Sequence, residues 1–234
     1  MDALSYLITG PMVYLSVGVL VFGMIYRIFR WLSVPASPIR LGIFPKTQGV
    51  SRTATVVRDT FLFPQVAEVN RRMWLMTVLF HFALLGVFVG HLRLLGRFPG
   101  ILEAKMSESA HLAGGTMGVI LLIGTLYFLF RRFKSPQKEL SLPEDYFLLF
   151  LLFAIILLGD HLRLFGHIPF EVYREYAYGL LSFRPALPPA LMDSPQKIVF
   201  VWHVFFANLL FVYLPFSKLV HFAGAVATNG IRRG

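Results

Sequence analysis

Four histidines lie inside two apolar stretches of this 234-residue chain, where polar side chains are least expected. His81 and His91 belong to the stretch 71–98, and His203 and His221 belong to a second stretch near the C-terminus. Imidazole is costly to place in lipid, so a histidine within a membrane span is by default a functional hypothesis. Neutral imidazole is also a good axial ligand for haem iron, and two imidazoles per iron give a centre suited to electron transfer. The four histidines therefore match the needs of two bis-histidine b-type haems.

The composition of the chain is that of an integral membrane protein. Hydrophobic residues make up 56% and charged residues only 15%, whereas a soluble domain has roughly 45–50% and 25%. The net charge of +10 is therefore interpreted through its distribution along the chain, not as a sign of nucleic-acid binding. With no cysteine, the chain can carry neither a Cys-ligated iron–sulfur cluster nor a thioether-linked haem. Any iron–sulfur relay is expected on a partner.

The hydropathy pattern predicts an all-α integral membrane protein, a bundle of five transmembrane helices forming a single membrane domain over residues 1–234. The predicted spans cover about 4–26, 73–95, 111–130, 142–165 and 198–225. The first is interpreted as a retained span, since no basic region precedes it as in a signal peptide. Segment 27–72 is expected to carry an amphipathic helix at the membrane interface, with Val56, Val57, Phe61 and Leu62 on its apolar face, broken near Pro64.

The distribution of Lys and Arg predicts the orientation. Most of the 22 basic residues fall in 27–72, in 131–144 and near the C-terminus. By the positive-inside bias these segments are cytoplasmic, which puts the N-terminus outside and the C-terminus in the cytoplasm. Spans 2 and 5 then run antiparallel.

This topology pairs the histidines. Inner His81 is expected to meet inner His221, and outer His91 to meet outer His203. On one continuous helix, His203 and His221 share a face at a separation of about 27 Å, whereas His81 and His91 are only about 15 Å apart. Helix tilt or a kink at Pro215 is needed to reconcile the two separations.

Cations stand where anionic haem propionates would need them. The candidates are Arg93, Arg97 and Arg163 on the outer side, and Arg71 and Arg72 on the inner side. Glycines 86, 90, 114, 115 and 118 would admit a flat macrocycle or a close helix contact.

Two alternatives stay open. The sequence HLRLLGRFP at His91 recurs as HLRLFGHIP at His161, which makes His161 the main rival to His91 as an outer ligand. Taken singly, an intramembrane histidine is often only a hydrogen-bonding helix contact. All four could then pack within a haem-free membrane anchor of a peripheral complex.

With its five spans and with histidines ten apart in span 2 and eighteen apart in span 5, the chain resembles the di-haem cytochrome b (gamma) subunit of respiratory nitrate reductases. It is similar also to the membrane subunits of heterodisulfide reductase and of transmembrane redox complexes of sulfate reducers. The resemblance implies that His81 and His221 ligate an inner haem b, and His91 and His203 an outer one.

The resemblance also implies a function. Menaquinol or another quinol would react beside the outer haem, and electrons would cross to an iron–sulfur subunit on the cytoplasmic face of a larger complex. The chain would then be an electron-transfer subunit, multi-pass in the cytoplasmic (inner) membrane of a prokaryote, not an enzyme alone. Outer residues that could exchange protons with a quinone are Asp160 and His161 first, then Lys105 and Glu108. The polar run GDHLRLFGHIP ending span 4 is more similar to the sulfate-reducer relatives, so the resemblance does not fix nitrate as the acceptor.

Overall fold

The computed structural model describes residues 2–34, 51–96 and 108–232, and the regular secondary structure in these ranges is entirely helical. The helices are α1 Ala3–Thr9, α2 Pro11–Leu32, α3 Arg52–Phe61, α4 Pro64–Val69, α5 Arg71–Leu92, α6 Glu108–Arg132, α7 Gln137–Leu140, α8 Pro143–Leu164, α9 Phe170–Leu181, α10 Pro189–Met192, α11 Lys197–Tyr213 and α12 His221–Arg232.

Five stretches within these ranges are long and apolar enough to cross a membrane. They are Ala3–Leu32, Arg71–Leu92, Leu112–Arg132, Pro143–Leu164 and Lys197–Phe216. Only 11–33% of the most apolar window of each is buried inside the protein, so most of the apolar side chains face outward, as lipid requires. The predicted all-α fold with five spans is confirmed, and the chain is a multi-pass membrane protein. The orientation of the termini stays a prediction.

The first span is broken where the sequence reads Gly10–Pro11. Proline lacks the N–H of an interior helical residue but fits the first turn, so α2 begins at Pro11. A Cβ atom at Gly10 would lie 3.0 Å from the Pro185 side chain, which explains why the smallest residue occupies the break.

The fifth span ends earlier than the predicted residue 225. Helix α11 stops at Tyr213, two short 3₁₀ turns follow over 214–216 and 218–220, and α12 starts at His221. Pro215 has no N–H to continue the helix, and Arg27 Nε donates a hydrogen bond to its carbonyl at 2.8 Å. The prediction of one continuous helix that carries both His203 and His221 is therefore wrong, because α11 ends at Tyr213 and His221 begins a separate helix.

The amphipathic segment forms two helices, α3 and α4, with the predicted break near Pro64. The buried face of α3 carries Thr55 and Asp59, whereas Val57 and Phe61 are about half exposed. The apolar residues thus point outward. This is the arrangement that an interfacial helix needs.

The described residues of 1–17 and 79–211 form one compact unit, and those of 18–78 and 212–234 form another. The first unit has two apolar cores. One joins α5, α6 and α8 through Phe80, Ala83, Leu121 and Ile156. The other joins α1, α9, α10 and α11 through Ile8, Tyr176, Leu187, Leu191, Phe200 and Val201.

In the second unit, α12 packs on α3, where the Asn229 amide donates to the Thr60 hydroxyl at 3.0 Å.

Candidate functional site

His91 at the end of α5 and His203 in α11 face each other inside the first unit. Their ring centres are 6.4 Å apart and their planes differ by 18°. The centres of neighbouring aromatic rings ordinarily lie about 4.5–7 Å apart, so the two imidazoles are close neighbours with nearly parallel planes. A metal ion between two imidazoles, about 2.0–2.1 Å from each nitrogen, would hold the ring centres roughly 6 Å apart. The observed separation therefore fits a pair of axial ligands on one haem iron.

The hydrogen bonds of the pair favour the imidazole tautomer that a ligand needs. His91 Nδ1 lies 2.8 Å from the Val87 carbonyl oxygen, and His203 Nδ1 lies 3.0 Å from the Ile155 carbonyl oxygen. A carbonyl can only accept, so each Nδ1 carries the proton and each Nε2 keeps its lone pair. Metal-binding histidines are usually oriented in this way by a backbone carbonyl or a carboxylate.

Helix α8 supports the His203 ring at two points one turn apart. Ile155 supplies the acceptor, and Gly159 supplies space. A Cβ atom at Gly159 would lie 3.1 Å from His203 Cε1 and 3.5 Å from Nδ1. The absence of a side chain at Gly159 therefore allows α8 to pack against the edge of the imidazole.

The other two histidines lie in different units of the chain. His81 is half-buried in α5, with its ring 5.6 Å from the Phe80 ring in an edge-to-face arrangement. His221 is exposed, and its Nδ1 lies 3.0 Å from the Lys218 carbonyl oxygen. It borders an open groove of about 300 Å³ that is lined in addition by Trp31 and Gly224. The pairing of His81 with His221 stays a prediction.

The predicted propionate-binding arginines lie in three places. Arg93 follows α5 by one residue, with its guanidinium carbon 5.8 Å from the centre of the Phe170 ring. Arg163, in the last turn of α8, lies against α6 at Gly114. Arg71 and Arg72 are exposed in the first turn of α5. Arg97 lies outside the described residues.

The predicted quinone-site residues are only partly grouped. Asp160 is half-buried in α8, where its carboxylate lies against Gly118 of α6 and its Oδ2 atom has no hydrogen-bond partner among the described residues. His161 follows it, and its ring lies 5.5 Å from the Phe165 ring. Lys105 lies outside the described residues, as does the side chain of Glu108. The aromatic neighbour of His161 is thus Phe165, the residue directly after α8, whereas His91 faces His203.

Four features of the site escaped the sequence analysis. They are the Ile155 carbonyl, the space at Gly159, the aromatic ring of Phe170 and a second arginine on that ring, Arg174. The available signals were weak. A backbone acceptor leaves no trace in residue types, and the spacing of Phe170 and Arg174 is common on short helices. Within the described ranges, no three His, Asp or Glu side chains converge to hold a metal ion by themselves.

Comparison with known proteins gives a consistent set of relatives. Residues 65–232 match the family described as "Nitrate reductase gamma subunit". The chain is 26% identical to the "Hdr-like menaquinol oxidoreductase cytochrome b-like subunit" of Archaeoglobus fulgidus, over 90% of this chain and 74% of that protein. It is 29% identical to the "Respiratory nitrate reductase 1 gamma chain" of Escherichia coli, over 65% of this chain and 72% of that protein.

Proposed function

The chain belongs to the nitrate reductase gamma subunit family, and from this premise we propose that it is a di-haem cytochrome b subunit of a membrane redox complex. In this proposal it exchanges electrons between a quinone pool and an iron–sulfur partner. The observation that carries the proposal is the His91–His203 pair, with a ring separation of 6.4 Å and with both Nδ1 atoms bonded to carbonyls. A haem bound between two histidines supplies one-electron transfer.

Each side chain has a definite task in this proposal. His91 and His203 ligate the outer haem iron, and His81 and His221 ligate the inner one. Arg93 and Arg163 bind propionates on the outer side. Arg71 and Arg72 do the same on the inner side. Gly159 and the Ile155 carbonyl orient the His203 ring, so α8 takes part without supplying a ligand.

Quinol chemistry requires groups that take up protons near the outer pair. Asp160 and His161 are next to each other on α8, directly after the glycine that contacts His203. Oδ2 of Asp160 has no hydrogen-bond partner within the described part of the chain, and it could accept a hydrogen bond from a quinol hydroxyl. Lys105 is a further candidate. The relatives named for menaquinol favour menaquinone as substrate, and another quinone would need the same groups.

The basic segments suggest where the partner binds. Segment 27–72 and the C-terminal end carry many of the Lys and Arg residues, which places them on the cytoplasmic side by the positive-inside bias. We infer that an iron–sulfur subunit docks there, in the cytoplasmic membrane of a prokaryote. A partner must supply the iron–sulfur cluster, because this chain has no cysteine.

A spectrum with a haem count tests the proposal. The protein, purified in mild detergent, should give a b-type reduced-minus-oxidised spectrum at two haems per chain. One haem per chain would mean that one histidine pair is wrong. A well-folded sample that keeps its partners but contains no haem would overturn the proposal and leave a haem-free membrane anchor.

Single substitutions distinguish the proposed ligands, His91 and His203, from the alternative ligand His161. His91→Ala and His203→Ala should each remove one haem and leave the other. His161→Ala should keep both haems but slow quinol oxidation, while His167→Ala, at an exposed position, is the matched control. If His161→Ala lost a haem and His91→Ala did not, His161 and not His91 would be the ligand of the outer haem.

A further inference from the structure

Helix α9 contacts α11, which bears His203, and Arg93, the residue that directly follows α5. Its first residue, Phe170, lies under the guanidinium of Arg93, two residues beyond the histidine of α5. One turn later, the Tyr173 ring lies 5.7 Å from the ring of Phe200, three residues before the histidine of α11. Helix α9 therefore contacts residues two and three positions from the two histidines, although it contributes no ligand.

A second arginine occupies the same aromatic ring. The guanidinium carbon of Arg174 lies 5.0 Å from the centre of the Phe170 ring, and that of Arg93 lies 5.8 Å from it. An aromatic face attracts a cation, and two cations near one ring repel each other to an extent set by their separation. An anion bound by both guanidinium groups would remove that repulsion.

Three buried polar atoms of α9 and of the residue before α11 lack a hydrogen-bond partner among the described residues. They are Arg174 Nε, Tyr173 Oη and Gln196 Oε1. Buried polar atoms are rarely left unpaired in proteins, and a missing ligand or water is a usual cause. Burial also raises the pKa of the Tyr173 phenol, which keeps the hydroxyl protonated as a donor. Two of the three atoms can donate, as an anion requires.

We propose that Arg174 and Arg93, held together by Phe170, bind a carboxylate at the edge of the outer haem, with the Tyr173 hydroxyl as an additional donor. This inference rests on the proposed function, and it assigns α9 the role of closing the site over a propionate. A guanidinium offers parallel N–H donors that match the two oxygens of a carboxylate. The phosphate of an anionic lipid headgroup has similar chemistry and is distinguished by the test.

The test compares Arg174→Gln with Arg174→Lys and with Arg184→Gln, an exposed arginine beyond the end of α9. The readouts are the haem content of the purified protein and the midpoint potential of each haem by spectroelectrochemical titration. Loss of a cation beside a propionate stabilises the oxidised haem. Arg174→Gln should thus lower the equilibrium constant for reduction of the outer haem up to tenfold, or about 59 mV for one electron. Arg174→Lys should restore most of the shift, and Arg184→Gln should leave both potentials unchanged.

A second variant covers the case in which Arg174→Gln does not fold. Phe170→Leu keeps both arginines but removes the ring that holds them, and it should give a smaller shift in the same direction. Unchanged potentials in every folded variant would overturn the inference while the two-haem spectrum stands. Unchanged potentials together with an Arg174-dependent loss of co-purified anionic phospholipid would assign the site to a lipid. A wild-type protein without haem would overturn the proposed function and this inference together.

Discussion

Replacing Gly159 with alanine should displace the His203 ring without destabilising the helix that carries the substitution. The new Cβ atom would lie 3.1 Å from His203 Cε1, closer than ordinary van der Waals contact, so the ring must shift by a few tenths of an ångström. The shift weakens the hydrogen bond of 3.0 Å between His203 Nδ1 and the Ile155 carbonyl oxygen. Ile155 lies one turn before Gly159 on α8.

Two energies of similar size oppose each other in this variant. Alanine is favoured over glycine in a helix interior by about 1 kcal/mol. A weakened hydrogen bond costs about 1 kcal/mol. The thermal stability of Gly159→Ala should therefore stay close to that of the wild type. The gain in helix propensity does not restore the orientation of the His203 ring. A loss of about 1 kcal/mol in the binding free energy of the outer haem corresponds to roughly fivefold weaker binding.

Haem content after dilution into haem-free detergent, together with the electron paramagnetic resonance of the oxidised protein, measures the effect. One low-spin signal should move while the other stays. Gly18→Ala is the matched control, because it makes the same exchange in α2, where a Cβ atom would meet nothing within 4 Å. If Gly159→Ala matched Gly18→Ala in both measurements, the role assigned to α8 would be refuted.

Two further predictions concern stability in the first unit. Asn208, buried in α11, accepts a hydrogen bond from the Ser16 hydroxyl at 2.9 Å and donates one to the Ile8 carbonyl at 3.0 Å. Asn208→Leu should cost about 1–3 kcal/mol, measured by thermal denaturation in detergent, and an unchanged midpoint would contradict this. Hydrogen bonds from the Lys197 ammonium and from the backbone of Ser5 hold the pKa of the Asp2 carboxyl well below its ordinary value. Stability from Asp2 is thus fully present above about pH 4 and is lost as the pH falls further. Asp2→Asn should flatten the dependence of the denaturation midpoint on pH between 5 and 3, and equal slopes in both proteins would argue against the ion pair.

The meeting of His91 and His203 could be anticipated from the sequence because polar residues are scarce inside membrane spans. Successive spans cross the membrane in alternating directions, so each histidine is assigned to the inner or the outer side. Only histidines on the same side can meet, and this pairs His91 with His203 without any knowledge of the tertiary structure. The support that orients these rings was not accessible in the same way. It depends on a backbone carbonyl at Ile155 and on empty space at Gly159, and neither has a characteristic residue pattern.

The end of the fifth span shows a different limit. Pro215 was visible as a possible kink, but a proline can bend a helix or terminate it. Here the helix ends, and Arg27, far away in the chain, donates a hydrogen bond to the Pro215 carbonyl at 2.8 Å, a contact that the local sequence does not reveal. For α3, residue periodicity predicts an apolar face but not the direction in which it points, which follows in the structure from the burial of Thr55 and Asp59.

The two histidines of the outer pair differ in when they become competent during synthesis. The acceptor for His91 is Val87, one turn earlier on its own helix, so this ring is oriented as soon as α5 forms. The acceptor for His203 lies 48 residues earlier in the chain, so that ring is oriented only after α11 has docked against α8. Synthesis must therefore have passed α11 before the two rings can face each other. If the pair holds a haem, as proposed, the haem can be bound at this site only after that point, and a truncation after α8 would leave His91 with nothing to face.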